Sequence, residues 1–308
     1  MSAFLREMKK ISVIGESNID ISVVHGSVEA RQGSCTSGKI TFHHGGVARN
    51  IAHNLCLLGQ QVQLMSVFGD DKFATSLMDE CRRLGMDLSQ STQFENAKSP
   101  IFLSHNDNTG NMISAISDVH LNDKMNLDWI KGRMDAINRS NKVVADTLLN
   151  AEALAYLIGH CQAPLYLDTV SPGKAIRLAE ALNLSEKRPV FALKCNLAEA
   201  KAITEENDPI QAALKLNSMG ITNVYLTLGS NGVIFCTQGY AKHFPALTQQ
   251  VKNVVGSGDA FFAGIIYAHT LGLFEEEALP FGLKTAQNNT ESAEPVNPLL
   301  APSLFETC

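Results

Sequence analysis

Short apolar runs alternate with longer amphipathic stretches along most of the chain. The runs are bounded by glycine, aspartate or asparagine, a pattern typical of buried strands, and lie at Ile11–Gly15, Val62–Phe68, Val143–Asp146, Leu165–Asp168, Val190–Leu193 and Val224–Gly229. Stretches with helical spacing separate them, at Phe73–Leu84, Ala151–Cys161, Lys174–Asn183, Asn196–Ile203 and Pro209–Met219. This alternation predicts an α/β fold with a doubly wound, mainly parallel sheet flanked by helices. Ligands of such sheets bind beyond the carboxyl ends of the strands.

Two segments, at about 19–42 and 99–118, depart from this alternation. The first contains short β-type runs punctuated by glycines. In the second, Ile101–His105 and Asn111–Ile116 flank a loop rich in turn residues, which predicts a β-hairpin. We expect both segments to form a small β-sheet that projects from the larger one. No linker divides the chain, so residues 1–308 are expected to form a single domain.

A glycine-rich turn near the C-terminal end suggests phosphate chemistry. Gly256, Ser257 and Gly258 open an apolar helical pattern, and Asp259 follows at once. Backbone N–H groups at such a helix start converge on one point, where the helix dipole adds partial positive charge. A carboxylate beside that anion hole could remove the proton from a hydroxyl that attacks phosphorus. The alternative is a plain glycine-rich loop with Asp259 as a helix cap.

Two further motifs lie upstream. Gly45 and Gly46 precede a helical pattern in which Asn50 comes one turn later, so backbone could approach a ligand closely there. Asn196 and Glu199 are three residues apart at a helix start, which brings an amide and a carboxylate to one face and could hold hydrated Mg²⁺. A helix cap with glutamate at its third position explains the second pair equally well.

Composition narrows the class of protein. A formal net charge of −6 argues against nucleic-acid binding, because no basic patch is available to neutralise phosphates. The seven cysteines contain no Cys-x-x-Cys pair, a usage typical of reduced thiols in the cytoplasm. No apolar run approaches membrane-spanning length, and Met1 to Lys10 lacks the apolar core of a signal peptide. We expect a cytoplasmic protein with small-molecule partners and no membrane or nucleic-acid partner.

In residue type, spacing and order, the three motifs resemble the ribokinase-like, or PfkB, family of sugar and nucleoside kinases. The family signatures are an N-terminal Gly-Gly-x-x-x-Asn and a C-terminal Asp-Thr-x-Gly-Ala-Gly-Asp, with Asn-x-x-Glu between them. Here they stand as Gly45-Gly46…Asn50, Asn253–Asp259 and Asn196…Glu199. The resemblance runs from about Ile11 to near Pro298. It implies an ATP- and Mg²⁺-dependent kinase in which the small sheet is a lid over the acceptor.

The resemblance also implies residue roles. Asp259 would be the general base, with the amides of Gly256, Ser257 and Gly258 as the anion hole. The acceptor's ribose hydroxyls would bind to Asn18, Asp20, Gly45, Gly46 and Asn50, the nucleotide to Lys194, Asn196, Thr227, Gly229, Gly232 and Asn289, and the metal to Asn196 and Glu199. Lid sheets of the family often pair between subunits, so we expect a homodimer, which light scattering would detect.

The chain departs from the family at its cation loop. Asn253 and Val254 stand where the family usually has aspartate and threonine, and Ser257 stands where it has alanine. The aspartate helps to hold potassium in many members, and the stretch Gln287–Ala293 lacks the usual Gly-Ala ending of that loop. These departures leave a requirement for potassium or another monovalent cation open.

Within the family, several details are most similar to the bacterial pseudouridine kinases. They are Asn18-Ile19-Asp20, Gly38-Lys39-Ile40, Gly45–Ala52, Asp107–Gly110, Ala115–Asp118 and the Asn-Val before the anion hole. This similarity implies phosphorylation of the 5′-hydroxyl of pseudouridine, with Asn108 and Thr109 of the lid loop over the base. The alternatives are a ribokinase, another PfkB sugar or nucleoside kinase, and a catalytically silent sugar-binding scaffold.

Overall fold

The computed structural model describes residues 10–25, 35, 37–107, 112–185, 189–247 and 251–306. The strands are β1 Ile11–Ile14, β2 Asn18–His25, β3 Gly38–Gly45, β4 Val62–Met65, β5 Val67–Phe68, β6 Thr92–Gln93, β7 Ile101–Asn106, β8 Met112–Asp118, β9 Lys142–Asp146, β10 Leu165–Asp168, β11 Val190–Asn196, β12 Ile221–Thr227, β13 Val233–Thr237 and β14 Tyr240–Phe244. The helices are α1 Val47–Leu57, α2 Lys72–Arg83, α3 Leu127–Lys131, α4 Met134–Asn138, α5 Ala151–His160, α6 Pro172–Leu184, α7 Leu197–Thr204, α8 Pro209–Ser218, α9 Ser257–Thr270 and α10 Leu279–Thr290.

The large sheet has eight strands in the order β14-β13-β12-β11-β10-β9-β1-β4. Neighbours from β4 to β12 pair in parallel, whereas β12, β13 and β14 pair antiparallel at one edge. The strand order reverses direction after β1, as in doubly wound sheets. The predicted fold class is confirmed, with the antiparallel edge as an addition that the sequence reading did not contain.

Both faces of the large sheet are buried, because side chains alternate between them along each strand. Val13 and Val144 enter one core, which α1, α9 and α10 cover, while Ile14 and Val143 enter the core on the other side. The start of helix α2 is fixed by a side-chain cap, in which the Asp71 carboxylate accepts from the Ala74 N–H at 2.9 Å. Continuous burial on both faces explains why the strands read as apolar runs.

The small sheet has the order β3-β2-β7-β8, with β7 and β8 as the predicted hairpin. Its two faces differ in character. Ile40 and Ile116 lie on one face and are 59% and 69% exposed. Asn18 and Asp20 lie on the other face, where they are hydrogen-bonded to each other. The apolar outer face is the one on which the expected homodimer would pair, and that assembly stays a prediction.

The active end of the large sheet is where β1, β9, β10 and β11 finish. Helix α1 packs against α9 there, which brings the start of the N-terminal motif to the start of the C-terminal one. Within the described ranges, none of the helices combines the length and apolar character needed to cross a bilayer.

Candidate active site

Helix α9 begins at a turn that only glycine can make at this position. Gly256 has a φ of 75°, in the left-handed region, and a Cβ there would overlap the Pro295 carbonyl oxygen. Ser257 does not contribute a spare amide, because its N–H donates to the Val254 carbonyl at 3.2 Å within the turn. The amides of Gly258 and Asp259 follow in the first helical turn, where a helix offers no intrahelical acceptor. The expected role of the Ser257 amide in the anion hole is therefore corrected, and that of Gly258 is retained.

The Asp259 carboxylate lies beside this turn in a buried position, with 8% of the residue exposed. Asn50 donates from Nδ2 to Asp259 Oδ2 at 2.9 Å. Arg49, itself buried, donates to Asn50 Oδ1 at 3.1 Å and so orients that amide. Burial raises the pKa of Asp259 to about 7, against the opposing effect of Lys194. A carboxylate with this pKa can accept a proton at neutral pH.

Lys194 lies directly beneath the anion hole. Its Nζ is 2.8 Å from Asp168 Oδ2 and 3.2 Å from where a Cβ on Gly258 would be. Although burial opposes the charged form, the carboxylates of Asp168, Asp259 and Glu199 together raise the pKa of Lys194. The raised pKa favours the charged ammonium, which lies beside the Gly258 backbone at the helix start.

The predicted acceptor residues meet on the inner face of the small sheet. Asn18 donates from Nδ2 to Asp20 Oδ1 at 2.9 Å, and burial raises the pKa of Asp20 to about 6. A Cβ on Gly45 would overlap the Asp20 carboxylate, while Gly46 has a φ of 97° and lies against the Glu16 carbonyl. A side chain at either position would therefore collide with the protein itself, and the predicted approach of a ligand to these glycines stays a prediction.

Two buried polar atoms beside this carboxylate have no partner among the described residues. They are Asn18 Oδ1 and Ser17 Oγ. An unsatisfied buried polar group costs about 1–3 kcal/mol, so hydrogen bonds from hydroxyl groups of a ligand to these atoms would be favourable.

Sequence reasoning missed a second acidic group next to this pocket. Glu16 is buried and accepts from Asn122 Nδ2 at 3.2 Å, and burial together with Asp146 and Asp20 raises its pKa to about 8. Its backbone N–H donates to Asp146 Oδ2 at 2.8 Å. The signal available in the sequence was the carboxylate directly after the first apolar run, but Asn122 lies 106 residues away and only the fold brings it close.

A cavity of about 600 Å³ adjoins the anion hole, a size typical of small-ligand sites. Its lining includes the polar or small residues Lys194, Asn196, Thr227, Gly229, Gly232, Ser257 and Gly258 and the apolar residues Val233, Ala246, Leu247, Val251, Phe261, Leu283 and Ala286. The polar residues suit a polyphosphate and the apolar ones suit a purine. Five residues predicted for the nucleotide therefore line one cavity.

Asn289 is the exception among the residues predicted for the nucleotide. It is 1% exposed and does not line the cavity. Its neighbours on α10, Ala286, Gln287 and Thr290, form that wall instead, because helical spacing turns the Asn289 side chain towards the loop before α9. There it donates to the Val255 carbonyl at 3.1 Å.

Asn196 and Glu199 form a complete capping box at the start of α7. Asn196 Oδ1 accepts from the Glu199 N–H and Glu199 Oε2 accepts from the Asn196 N–H, both at 2.9 Å. Thr169 also donates to Glu199 Oε2 at 2.6 Å. A divalent ion would therefore meet this carboxylate through water, which fits Mg²⁺ because it retains much of its hydration shell.

Within the part of the chain that the structure describes, no three acidic, histidine or cysteine side chains form a direct metal cluster. Asn108 and Thr109, predicted to lie over the acceptor's base, fall outside the described residues.

A buried carboxylate beside a helix-start anion hole, with a fixed cation below and a nucleotide-sized cavity alongside, defines a phosphotransferase that acts on a hydroxyl group. Comparison with known proteins agrees: the model for "pfkB family carbohydrate kinase" matches residues 8–301. The chain belongs to the pfkB family of carbohydrate kinases. Membership implies ATP use with a divalent metal.

Two curated relatives from Escherichia coli K12 are equally similar in sequence. A pseudouridine kinase is 30% identical over 285 residues, which cover 90% of this chain and 89% of the relative. The uncharacterised sugar kinase YeiI is 30% identical over 308 residues, which cover 96% of this chain and 82% of the relative. Among solved structures, a ribokinase from Thermotoga maritima matches the fold with a TM-score of 0.83 over 96% of this chain and 97% of its own, at 20% identity. The resemblance seen in the motifs is thereby confirmed.

Proposed function

We propose that the chain is an ATP-dependent kinase that transfers the γ-phosphoryl group to the 5′-hydroxyl of pseudouridine. The observation that carries this proposal is the Asp259 carboxylate, held at 2.9 Å by Asn50 beside the glycine turn of α9. Asp259 removes the hydroxyl proton as the oxygen attacks phosphorus. The amides at Gly256 and Gly258 and the Lys194 ammonium stabilise charge on the phosphoryl oxygens, the largest contribution expected in such a transfer.

The acceptor's ribose binds at the inner face of the small sheet. Asp20 accepts from one hydroxyl, and the buried Asn18 Oδ1 and Ser17 Oγ atoms take part in further hydrogen bonds that they lack within the described protein. The small sheet acts as a lid, because closure over the acceptor excludes the water that would compete for the phosphoryl group.

Pseudouridine is favoured by two observations. The subgroup motifs of the N-terminal strand and of the hairpin match, and a pseudouridine kinase is among the curated relatives. The C–C glycosidic bond of pseudouridine leaves an extra ring N–H near the sugar. A site with an acceptor aimed at that edge binds pseudouridine with one more hydrogen bond and leaves a buried acceptor unpaired with uridine.

We therefore expect a preference of about 10- to 100-fold in kcat/KM for pseudouridine over uridine and ribose. A panel of nucleosides and sugars, assayed by ATP consumption and product mass, measures it.

Replacing Asn108 or Thr109 by alanine should reduce the preference more than the maximal rate. Equal kcat/KM for ribose and pseudouridine would favour the ribokinase alternative, and no turnover with any acceptor would favour a silent scaffold.

Asn196 and Glu199 are proposed to hold Mg²⁺ through its water shell. In the Glu199→Gln variant, glutamine can still complete a capping box, but the negative charge that orders the metal's waters is gone. We expect the Mg²⁺ concentration for half-maximal rate to rise several-fold. The melting temperature should fall modestly, because the new amide N–H group faces the Asn196 Nδ2 donor, from which Glu199 Oε1 accepts at 2.8 Å. Glu152→Gln, on the exposed start of α5, is the matched control. An unchanged Mg²⁺ titration would leave the pair as a helix cap alone.

A further inference from the structure

Three asparagine side chains join the loop before α9 to the chain that follows α10. We call Asn253, Asn289 and Asn297 the asparagine clamp. Asn253 donates from Nδ2 to the Ala293 carbonyl at 3.1 Å and accepts from the Val255 N–H at 3.0 Å. This side-chain link adds to backbone bonds between the same segments, in which the Lys252 and Asn253 N–H groups donate to the Thr290 carbonyl at 2.8 and 3.4 Å.

The other two members complete the connection. Asn289 donates to the Val255 carbonyl at 3.1 Å and accepts from the Asn297 N–H at 3.0 Å. Asn297 donates in turn to the Asn288 carbonyl at 2.7 Å. Asn289 and Asn297 are 1% and 6% exposed, so water does not compete effectively for these bonds.

The clamp acts on the residue that opens the anion hole. Gly256 directly follows Val255, the residue that both Asn253 and Asn289 hold, and it packs so closely against Pro295 that a Cβ would overlap the Pro295 carbonyl. The position of the Gly256 turn is therefore set by the same two segments that the clamp joins. Loss of the clamp would therefore displace the Gly256 turn. The acceptor pocket at Asp20 should stay in place, because that pocket lies on the small sheet.

A monovalent cation does not fit between these two segments. Such an ion needs several oxygen ligands that point at it, and a carboxylate strengthens the site. Here the Val255 and Ala293 carbonyls already accept amide N–H groups, whose hydrogens carry partial positive charge. Asn253 is neutral, and the Glu294 carboxylate lies 2.7 Å from His43 Nδ1 instead.

We propose that Asn253 and Asn289 are positioning residues for the anion hole and that their amide groups make phosphoryl transfer independent of monovalent cations. The inference rests on the phosphoryl transfer proposed above. Each amide N–H supplies, within the chain, the positive charge that would otherwise have to come from a bound ion. The two segments are therefore held together at any potassium concentration.

The test compares potassium, sodium and choline chlorides at constant ionic strength, with saturating Mg²⁺ and ATP. The wild-type kcat should vary by less than about twofold among the three salts. In Asn253→Asp, a carboxylate faces the Ala293 carbonyl without a donor, so kcat in choline should fall by about tenfold and recover in potassium, with the acceptor KM little changed. Asn253→Ser, which retains an oxygen for the Val255 N–H but has no amide donor, should fall without recovery. Asn141→Asp, an exposed position at the start of β9, is the charge control.

A second readout does not depend on turnover. Thermal unfolding should show a potassium-specific rise in melting temperature for Asn253→Asp and none for the wild type or for Asn141→Asp. A wild-type rate that rises more than about fivefold with potassium, or an Asn253→Asp variant that retains wild-type kcat in choline, would overturn the proposal. If no acceptor is phosphorylated, the function proposed above fails, while the melting temperatures still decide whether the clamp replaces an ion.

Discussion

Replacing Asp259 by asparagine is expected to lower kcat by about 10²–10⁴. Asparagine retains the shape of the side chain and can still contact Asn50, but it cannot accept the proton of the attacking hydroxyl. The nucleotide cavity keeps its lining residues, so the dissociation constant for ATP should change little. Steady-state kinetics and calorimetric ATP titration measure the two quantities.

Asp135→Asn, on the exposed surface of α4, makes the same change of charge away from the site and should leave kcat unaltered.

Burial raises the pKa of Asp259 to about 7. The wild-type kcat/KM should therefore fall as the pH drops below neutrality, because the protonated carboxyl cannot act as a base. The variant should lose that dependence. A variant that retains more than about a tenth of wild-type kcat would remove Asp259 from the role of base.

Lys194→Met is expected to damage both stability and catalysis. It removes the cation that lies 2.8 Å from the fully buried Asp168 carboxylate, and breaking a buried ion pair from one side costs about 3–5 kcal/mol of the free energy of unfolding. The anion hole also loses the positive side chain beside Gly258, so kcat/KM should fall by at least about 10². Urea unfolding and kinetics at the same pH measure the two effects.

The double variant Lys194→Met with Asp168→Asn separates these effects. With no carboxylate left unpaired at position 168, most of the lost stability should return, while kcat/KM should stay low because the phosphate still lacks its cation. A single variant as stable as the wild type would mean that the ion pair contributes nothing to folding.

Local sequence patterns predicted the large sheet well because each parallel strand is buried on both faces. Val143–Asp146 and Leu165–Asp168 read as strands for that reason and are strands in the structure. The antiparallel hairpin β13–β14 was not predicted, although β13 is fully buried. Tyr240–Phe244 is an edge strand with largely exposed side chains, so its sequence carries neither an apolar run nor a clear alternation.

The residues of the candidate site also fall into two groups. Some lie within one sequence motif and could be predicted, and others are brought together only by the fold. Asp259 and the glycines around it form one contiguous motif, so sequence could identify them together. Asn289 was predicted to bind the nucleotide, but it does not line that cavity. Its partners Val255 and Asn297 lie outside α10, and they come close to Asn289 only because of the path that the chain takes after this helix. The Glu16–Asn122 contact had no detectable pattern for a comparable reason: the two residues belong to different segments and meet only at the end of β1.

The nucleotide cavity and the acceptor pocket are built from separate parts of the chain. Among the described residues, none of those that line the nucleotide cavity belongs to β2, β3, β7 or β8, whereas Asn18 and Asp20 belong to β2. Substitutions on the inner face of the small sheet can therefore accumulate without altering how ATP is held. For such a chain, a change of acceptor during evolution requires no redesign of the phosphate donor site, and a library confined to that face is a suitable starting point for directing the enzyme to new acceptors.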